Sequence, residues 1–500
     1  MSKKKFTLQI LAVLATLAIL LIIGFFLLKS YRFFQKEDKT VLSVLDSETT
    51  ILLKCDNLKA IVDLKTNKAN YLHTFLSSKS IEQMDGFLQF IQSLPYTDEV
   101  GRKCPLYIAA NAKYTQQPYM YIWELGKKHD NTIKKINSTL KHNFKVEKLN
   151  YKQWDVFKIK LTPQAVFYTY NNGLLVFSFN EQLIYSSLNQ MSLSETQNAT
   201  SFEKLLKHQD KNTKFHVYIQ ADILKQRKLS NQNLFSDEVI WKYFLNYQQS
   251  VLHLSFENEN IILSGFAYLD TNKDNSFYTT NLHTCAYYHL LPENTSSVFA
   301  LIGDEYRKIN SLKTNKISSY EDFLSMMKPT SVFNVALDKD SVSHLILMRS
   351  EDIEEAKFHL FNCLNSSYED NIYYLDTSYW EGFMVGGIDI PNFFVSRLML
   401  GDEIKRLKAY CIMDEYVVFS DSKEILNEYI SMIKHKHCIQ NNPHFMETDS
   451  YFQEKANVVY YKFLDSTDVD VSSNRFKTYR LQMNHYKENK MFFTLVFTIR

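Results

Sequence analysis

Two histidine–cysteine groups are the residues of this chain best able to do chemistry. His435, His437 and Cys438, with His444 close behind, could place imidazoles and a thiol around a metal at the end of an expected helix. His283, Cys285 and His289 form the second group, and alternation along a strand puts all three on one face. Each group also has a simpler explanation. Cationic side chains are favoured at a helix C-terminus by the macrodipole, and His283 to His289 surround apolar Tyr287 and Tyr288 as a half-buried strand does. No metal site is expected from either group.

Acidic residues offer the other route to chemistry. Asp304 with Glu305, Asp402 with Glu403, and the run Glu351, Asp352, Glu354 and Glu355 could supply the paired carboxylates of acid–base catalysis. Glu351 to Glu355 open an expected helix, where negative charge is stabilising, so a solvated helix start accounts for them. The sequence has no G-x-S-x-G elbow, no H-E-x-x-H and neither glycine-rich phosphate motif. Gly382, Gly386 and Gly387 make the segment richest in glycine, and it reads as a strand bend after Trp380. No catalytic, cofactor-binding or metal residue is assigned, and no enzyme activity is expected. Asn137, Asn198, Asn294 and Asn365 each fit the glycosylation sequon, which arises readily by chance in an asparagine-rich chain. Six cysteines, Cys55, Cys104, Cys285, Cys363, Cys411 and Cys438, show no C-x-x-C, and disulfides and free buried thiols both fit them.

The elements that would position these residues follow from composition and pattern. Over 500 residues, 45% are apolar, 14% aromatic and 22% charged, a globular mix large enough for more than one core. A net charge of +2 gives no field to draw nucleic acid, and no nucleic-acid partner is expected. Eleven Gly and eight Pro leave regular helices and long strands to dominate. The 36 Phe and 32 Tyr either fill cores or line a cleft for a lipid, a glycan or a partner strand. Residues 6–28 form an uncharged apolar run, bounded by Lys3, Lys4 and Lys5 and by Lys29 and Arg32. At about 1.5 Å rise per residue it crosses a ~30 Å hydrocarbon core, and it lacks a small-x-small cleavage site, so it predicts a single signal anchor. A cytoplasmic stub at 1–5 and a juxtamembrane linker at 29–40 flank it, with the ectodomain outside the cytoplasm, on the periplasmic side of an inner membrane.

The ectodomain reads as two copies of one unit, 41–275 and 276–500. The segment Gly173 to Leu188 matches Glu415 to Ile430: each is a buried strand ending in Phe-Ser, then a capping signal (Ser178 with Glu181, Asp421 with Glu424), then a helix. Leu-Lys-Thr-Asn-Lys occurs at both 64–68 and 312–316, and each copy closes on a hairpin, Val251 to Tyr268 and Tyr479 to Thr498. Hairpins interrupted by amphipathic helices predict an α+β fold of mainly antiparallel sheet with helices packed on one face.

The anchor, the Leu-Pro-Glu-Asn-Thr start at Leu291 and the element Tyr416 to Glu424 together resemble an uncharacterised family of single-pass, membrane-anchored bacterial envelope proteins. That resemblance implies an envelope location and carries no activity. The function expected is therefore a binding or scaffolding module, with an envelope protein or lipid as partner. The alternative is a carrier holding a lipid or other apolar ligand in a cleft between the units.

Overall fold

A computed structural model describes residues 40–61, 86–92, 101–114, 117–126, 129–161, 164–192, 200–226, 247–268, 283–284, 287–302, 329–337, 343–366, 377–388, 407–463, 476–486 and 490–499. The apolar run at 6–28, both Leu-Lys-Thr-Asn-Lys pentamers and the pairs at 304–305 and 402–403 lie outside these residues. Among the described residues no helix is long and apolar enough to cross a membrane.

The fold is α+β and its pairing is antiparallel throughout. The first series comprises β1 (Thr49–Cys55), β2 (Leu106–Asn111), β3 (Tyr119–Glu124), β4 (Val146–Tyr151), β5 (Trp154–Lys160), β6 (Ala165–Asn171), β7 (Leu174–Ser178), β8 (Phe215–Gln220), β9 (Gln249–Glu257) and β10 (Asn260–Tyr268). These lie side by side in the order β4-β5-β6-β7-β3-β2-β1-β8-β9-β10. Strand β11 (His283–Thr284) pairs only with β19 (Lys455–Ala456) in a separate two-stranded sheet. The second series comprises β12 (Thr295–Ile302), β13 (Pro329–Leu337), β14 (Ser343–Ser350), β15 (Thr377–Trp380), β16 (Phe383–Gly387), β17 (Ala409–Met413), β18 (Tyr416–Ser420), β20 (Val458–Phe463), β21 (Phe476–Tyr486) and β22 (Lys490–Ile499). Its order is β15-β16-β17-β18-β14-β13-β12-β20-β21-β22, so each pairing of the first series has a counterpart in the second.

Among the described residues the two series meet in one twenty-stranded sheet through β10 and β22, which pair antiparallel from Asn260↔Thr498 to Tyr268↔Lys490. Ser264↔Thr494 is the middle pair of that ladder. The chain's last strand therefore lies at the centre of the sheet.

Burial explains the strand chemistry. The sequences Leu-Leu-Val-Phe-Ser of β7 and Tyr-Val-Val-Phe-Ser of β18 are buried at every position, as strands covered on both faces must be. The sheet's outermost strands, β4 and β15, are largely exposed. Two-residue hairpin turns take left-handed backbone at Asn172 (φ 44°) with Gly173 (84°), and at Glu381 (49°) with Gly382 (96°).

Helices cover both faces, not the single face the pattern predicts. On one face, Ile133, Ile136 and Leu140 of the Asp130–Asn143 helix and Ala356, Leu360 and Leu364 of the Ile353–Ser366 helix join one core. That core takes alternate strand residues from both series, such as Leu252, Leu263, Leu481 and Leu495. On the opposite face the core divides. The Glu181–Ser192 and Thr200–Leu206 helices pack on first-series strands through Leu183, Ile184, Leu188, Phe202 and Leu205. The Lys423–Lys434 and Pro443–Asp449 helices pack on second-series strands through Leu426, Tyr429, Ile430 and Phe445. Neither of these two cores takes a residue from β21 or β22, and the gap between them lies over the seam.

Candidate functional site

That gap is a cleft of about 670 Å³, within the roughly 300–1,000 Å³ range of small-molecule sites. Register shows how the sequence builds its floor. Residues directly opposite one another on antiparallel strands share a face, and here a polar row crosses six strands. It runs Lys54, His216, His253, Ser264, Thr494, Gln482, each paired with the next. The adjacent row runs Tyr218, Val251, Phe266, Phe492, Asn484. Over the floor stand His208, Gln209 and Asp210, which follow the Thr200–Leu206 helix, and Gln453, which follows the Pro443–Asp449 helix. Both series thus contribute a wall and half the floor.

The second-series wall is held by amides. Gln453 N–H donates to Gln482 Oε1 (2.9 Å), Gln482 Nε2 donates to the Gln453 carbonyl (2.6 Å), and Asn484 Nδ2 donates to Gln453 Oε1 (2.7 Å). Asn484 Oδ1 is buried and accepts no hydrogen bond among the described residues. Beneath this wall the buried Arg480 guanidinium donates to Asp449 Oδ1 (2.6 Å) and Tyr288 Oη (2.7 Å) and lies 4.4 Å from the Phe445 ring centre. It anchors the Pro443–Asp449 helix that carries the wall.

The first-series wall is aromatic and imidazole. His208 meets the Phe266 ring edge-on at 5.0 Å, and its Nε2 lies 3.1 Å from Tyr268 Oη. His216 and His253 face each other with their Nδ1 atoms 3.0 Å apart. Burial lowers the pKa of all three imidazoles. For His216, burial and then the neighbouring His253 and Lys54 take it to about 4, against the opposing pull of Asp56 and Asp210. The three imidazoles therefore favour the neutral form at pH 7. Lys54 is held away by Gln209 Oε1 at 2.6 Å. Gly265 is required in the floor, because a Cβ there would stand 1.9 Å from the Val251 carbonyl oxygen.

The histidine–cysteine groups singled out from sequence do not converge. His435 caps the Lys423–Lys434 helix, exposed, with Nδ1 2.7 Å from the Ser431 carbonyl. His437 is also exposed, with Nδ1 3.9 Å from Glu293, whereas Cys438 is buried in a bridge to Pro292. The side chains of His444 and His283, and Cys285 altogether, lie outside the described residues, and His289 is exposed. Among the described residues no group of three or more His, Cys, Asp or Glu is placed to hold a metal ion.

The remaining candidates find structural roles. Asp352 Oδ1 accepts from the backbone N–H of Glu354 (3.1 Å) and Glu355 (3.0 Å), a helix start. Gly386 packs under the Tyr410 ring, where a Cβ would stand 2.3 Å from it. Of the sequon residues, Asn137 is buried and accepts the Tyr168 hydroxyl at 2.7 Å, which leaves no room for a glycan. Asn294 Oδ1 is likewise buried, Asn198 lies outside the described residues, and so does the side chain of Asn365. Cys55, Cys411 and Cys438 are free and buried, and Cys104 is buried. The sequence offered a cleft only as part of its alternative reading and named none of these residues, because His208, His253, Gln482 and Phe492 form no local motif and converge only through register.

No family model matches the chain, and no curated protein does. Among solved structures, crystal form I of TP0453 is similar at 11% identity over 50% of this chain and 89% of that one, with a TM-score of 0.26. Crystal form IV of the same protein is similar at 12% identity over 49% and 87%, with a TM-score of 0.26. A likeness at that TM-score carries no argument about fold or function.

Proposed function

We propose that this chain is a non-enzymatic binding protein of the cell envelope, anchored through residues 6–28, whose ligand occupies the cleft over the β10–β22 seam. The observation that carries the reading is the cleft itself: both series supply its walls and floor, and neither of the two cores on that face takes a residue from β21 or β22. Such a site between two bodies of one chain is a common place for ligand recognition.

The reading includes duplication of an ancestral unit, with copies at 41–275 and 276–500. The matched order of strand pairings and the matched helices after β7 and β18 support it. Support for the anchor is the uncharged run from Phe6 to Leu28, long enough for a bilayer. Amides and imidazoles in the walls favour a polar ligand over the acyl chain that a lipid carrier would hold.

Native mass spectrometry of the detergent-extracted full chain tests the reading. A bound small molecule is expected on the wild type and absent from Thr494→Trp, in which the indole fills the floor. A wild type without adduct, or a variant that keeps it, contradicts the assignment.

A further inference from the structure

The cleft's chemistry narrows the class of ligand, on the premise that the cleft is a binding site. Among the described residues its lining contains no Lys or Arg, and two ammonium groups at its margin are engaged, Lys54 on Gln209 Oε1 at 2.6 Å and Lys490 5.7 Å from the Phe266 ring centre. The three nearby imidazoles are pushed toward neutrality by burial. Nor, among the described residues, does any Leu, Ile, Val or Met side chain line it, and its apolar lining is aromatic, from Phe266, Phe492 and Phe493. What lines it is Gln209, Gln453, Gln482, Asn484, Ser264 and Thr494, beside the rings of Phe266 and Phe492. Phe492 is 40% exposed in the middle of a sheet, a large apolar ring left facing the cleft. Phe266, its cross-strand partner, has its ring centre 5.9 Å away.

The geometry points to a short, uncharged oligosaccharide as the ligand. A sugar ring presents weakly positive C–H groups on one face, which suit the negative face of an aromatic ring. Its rim of hydroxyls both donates and accepts, as planar amides and Asp210 require, and Asn484 Oδ1 is an acceptor awaiting a donor among the described groups. Phe492 serves as the platform. Asn484, opposite it on β21, and Gln453 above set the hydroxyl contacts from the second series. His208, which meets Phe266 edge-on, sets them from the first.

Isothermal titration of the full chain in detergent tests this, using cellotetraose, maltotetraose and chitotetraose, with a capped uncharged peptide and phosphatidylglycerol vesicles alongside. Binding of at least one oligosaccharide is expected, weakened at least about tenfold by Phe492→Ala and by Asn484→Ala. Phe358→Ser, on the exposed surface of the Ile353–Ser366 helix, leaves it unchanged. Circular dichroism and urea midpoints confirm that the variants fold. No binding of any oligosaccharide at millimolar concentration overturns the glycan class. Binding of the peptide or vesicles that is lost in Thr494→Trp also overturns it, while leaving the cleft as a binding site. Binding of every probe unaffected by Thr494→Trp overturns both.

Discussion

Replacing His216 by Gln should remove a large part of this protein's sensitivity to mild acid. The His216 side chain is 1% exposed, opposite Lys54 on β1 and His253 on β9, with Asp56 Oδ1 4.0 Å from Nε2. One proton satisfies the Nδ1···Nδ1 contact with His253, and a second in that contact would set two N–H groups against each other at 3.0 Å and leave one buried ring cationic. Its pKa falls from 6.5 to about 4 on folding, so between those values the unfolded chain binds more protons than the folded one. Stability from this site is complete above pH 6.5 and is lost as pH falls toward 4. At roughly 1.36 kcal/mol per pH unit, the site accounts for about 3 kcal/mol. Urea unfolding of wild type and His216→Gln at pH 7.5 and pH 4.5 isolates it, because other titrating groups are common to both proteins. The wild type should lose about 2–3 kcal/mol more than the variant on acidification. Parallel losses in the two proteins would refute the reasoning.

Two further substitutions test the scaffold of the cleft, and a third tests a helix cap away from it. Gly265→Ala should destabilise by about 1–3 kcal/mol or more, because its Cβ meets backbone at Val251 that cannot move aside; a shift in urea midpoint measures it. Asp449→Ala leaves the buried Arg480 without its charged partner. A loss of about 3 kcal/mol, with early hydrogen exchange in the Pro443–Asp449 helix, is the expected result. Ser422→Ala deletes the hydroxyl that accepts from Ile425 N–H at 3.2 Å, and thermal unfolding should report a cost of about 1 kcal/mol.

Much of the fold was legible where local periodicity decides structure. The Phe-Ser elements became β7 and β18 with their following helices, and the closing hairpins became β9–β10 and β21–β22. The caps were displaced. Ser422, one residue after Asp421, caps the Lys423–Lys434 helix, and Asn180 Oδ1 accepts from Gln182 N–H in place of Ser178. Ser178 and Ser420 instead donate to the carbonyls of Tyr119 and His344 on neighbouring strands, tying each strand end across the sheet. A Ser-x-x-Glu spacing cannot distinguish these uses, because a serine hydroxyl serves a strand neighbour as readily as a helix start. Pairing between β10 and β22 joins residues more than 200 apart, and no local pattern encodes it. For the same reason the two-faced arrangement of helices and the residues of the cleft emerge only once register is known. Gln482 and His253 lie opposite Thr494 and Ser264, yet in sequence each is one polar residue among many.

Hydrogen exchange of the full chain, measured as purified and again after stripping of any bound small molecule, tests the central claim most directly. The account predicts faster exchange after stripping at 208–210, 262–266, 453–455, 482–484 and 492–494, segments drawn from both series, with β4 and β15 unchanged. A change confined to one series, or centred away from the β10–β22 seam, would contradict it.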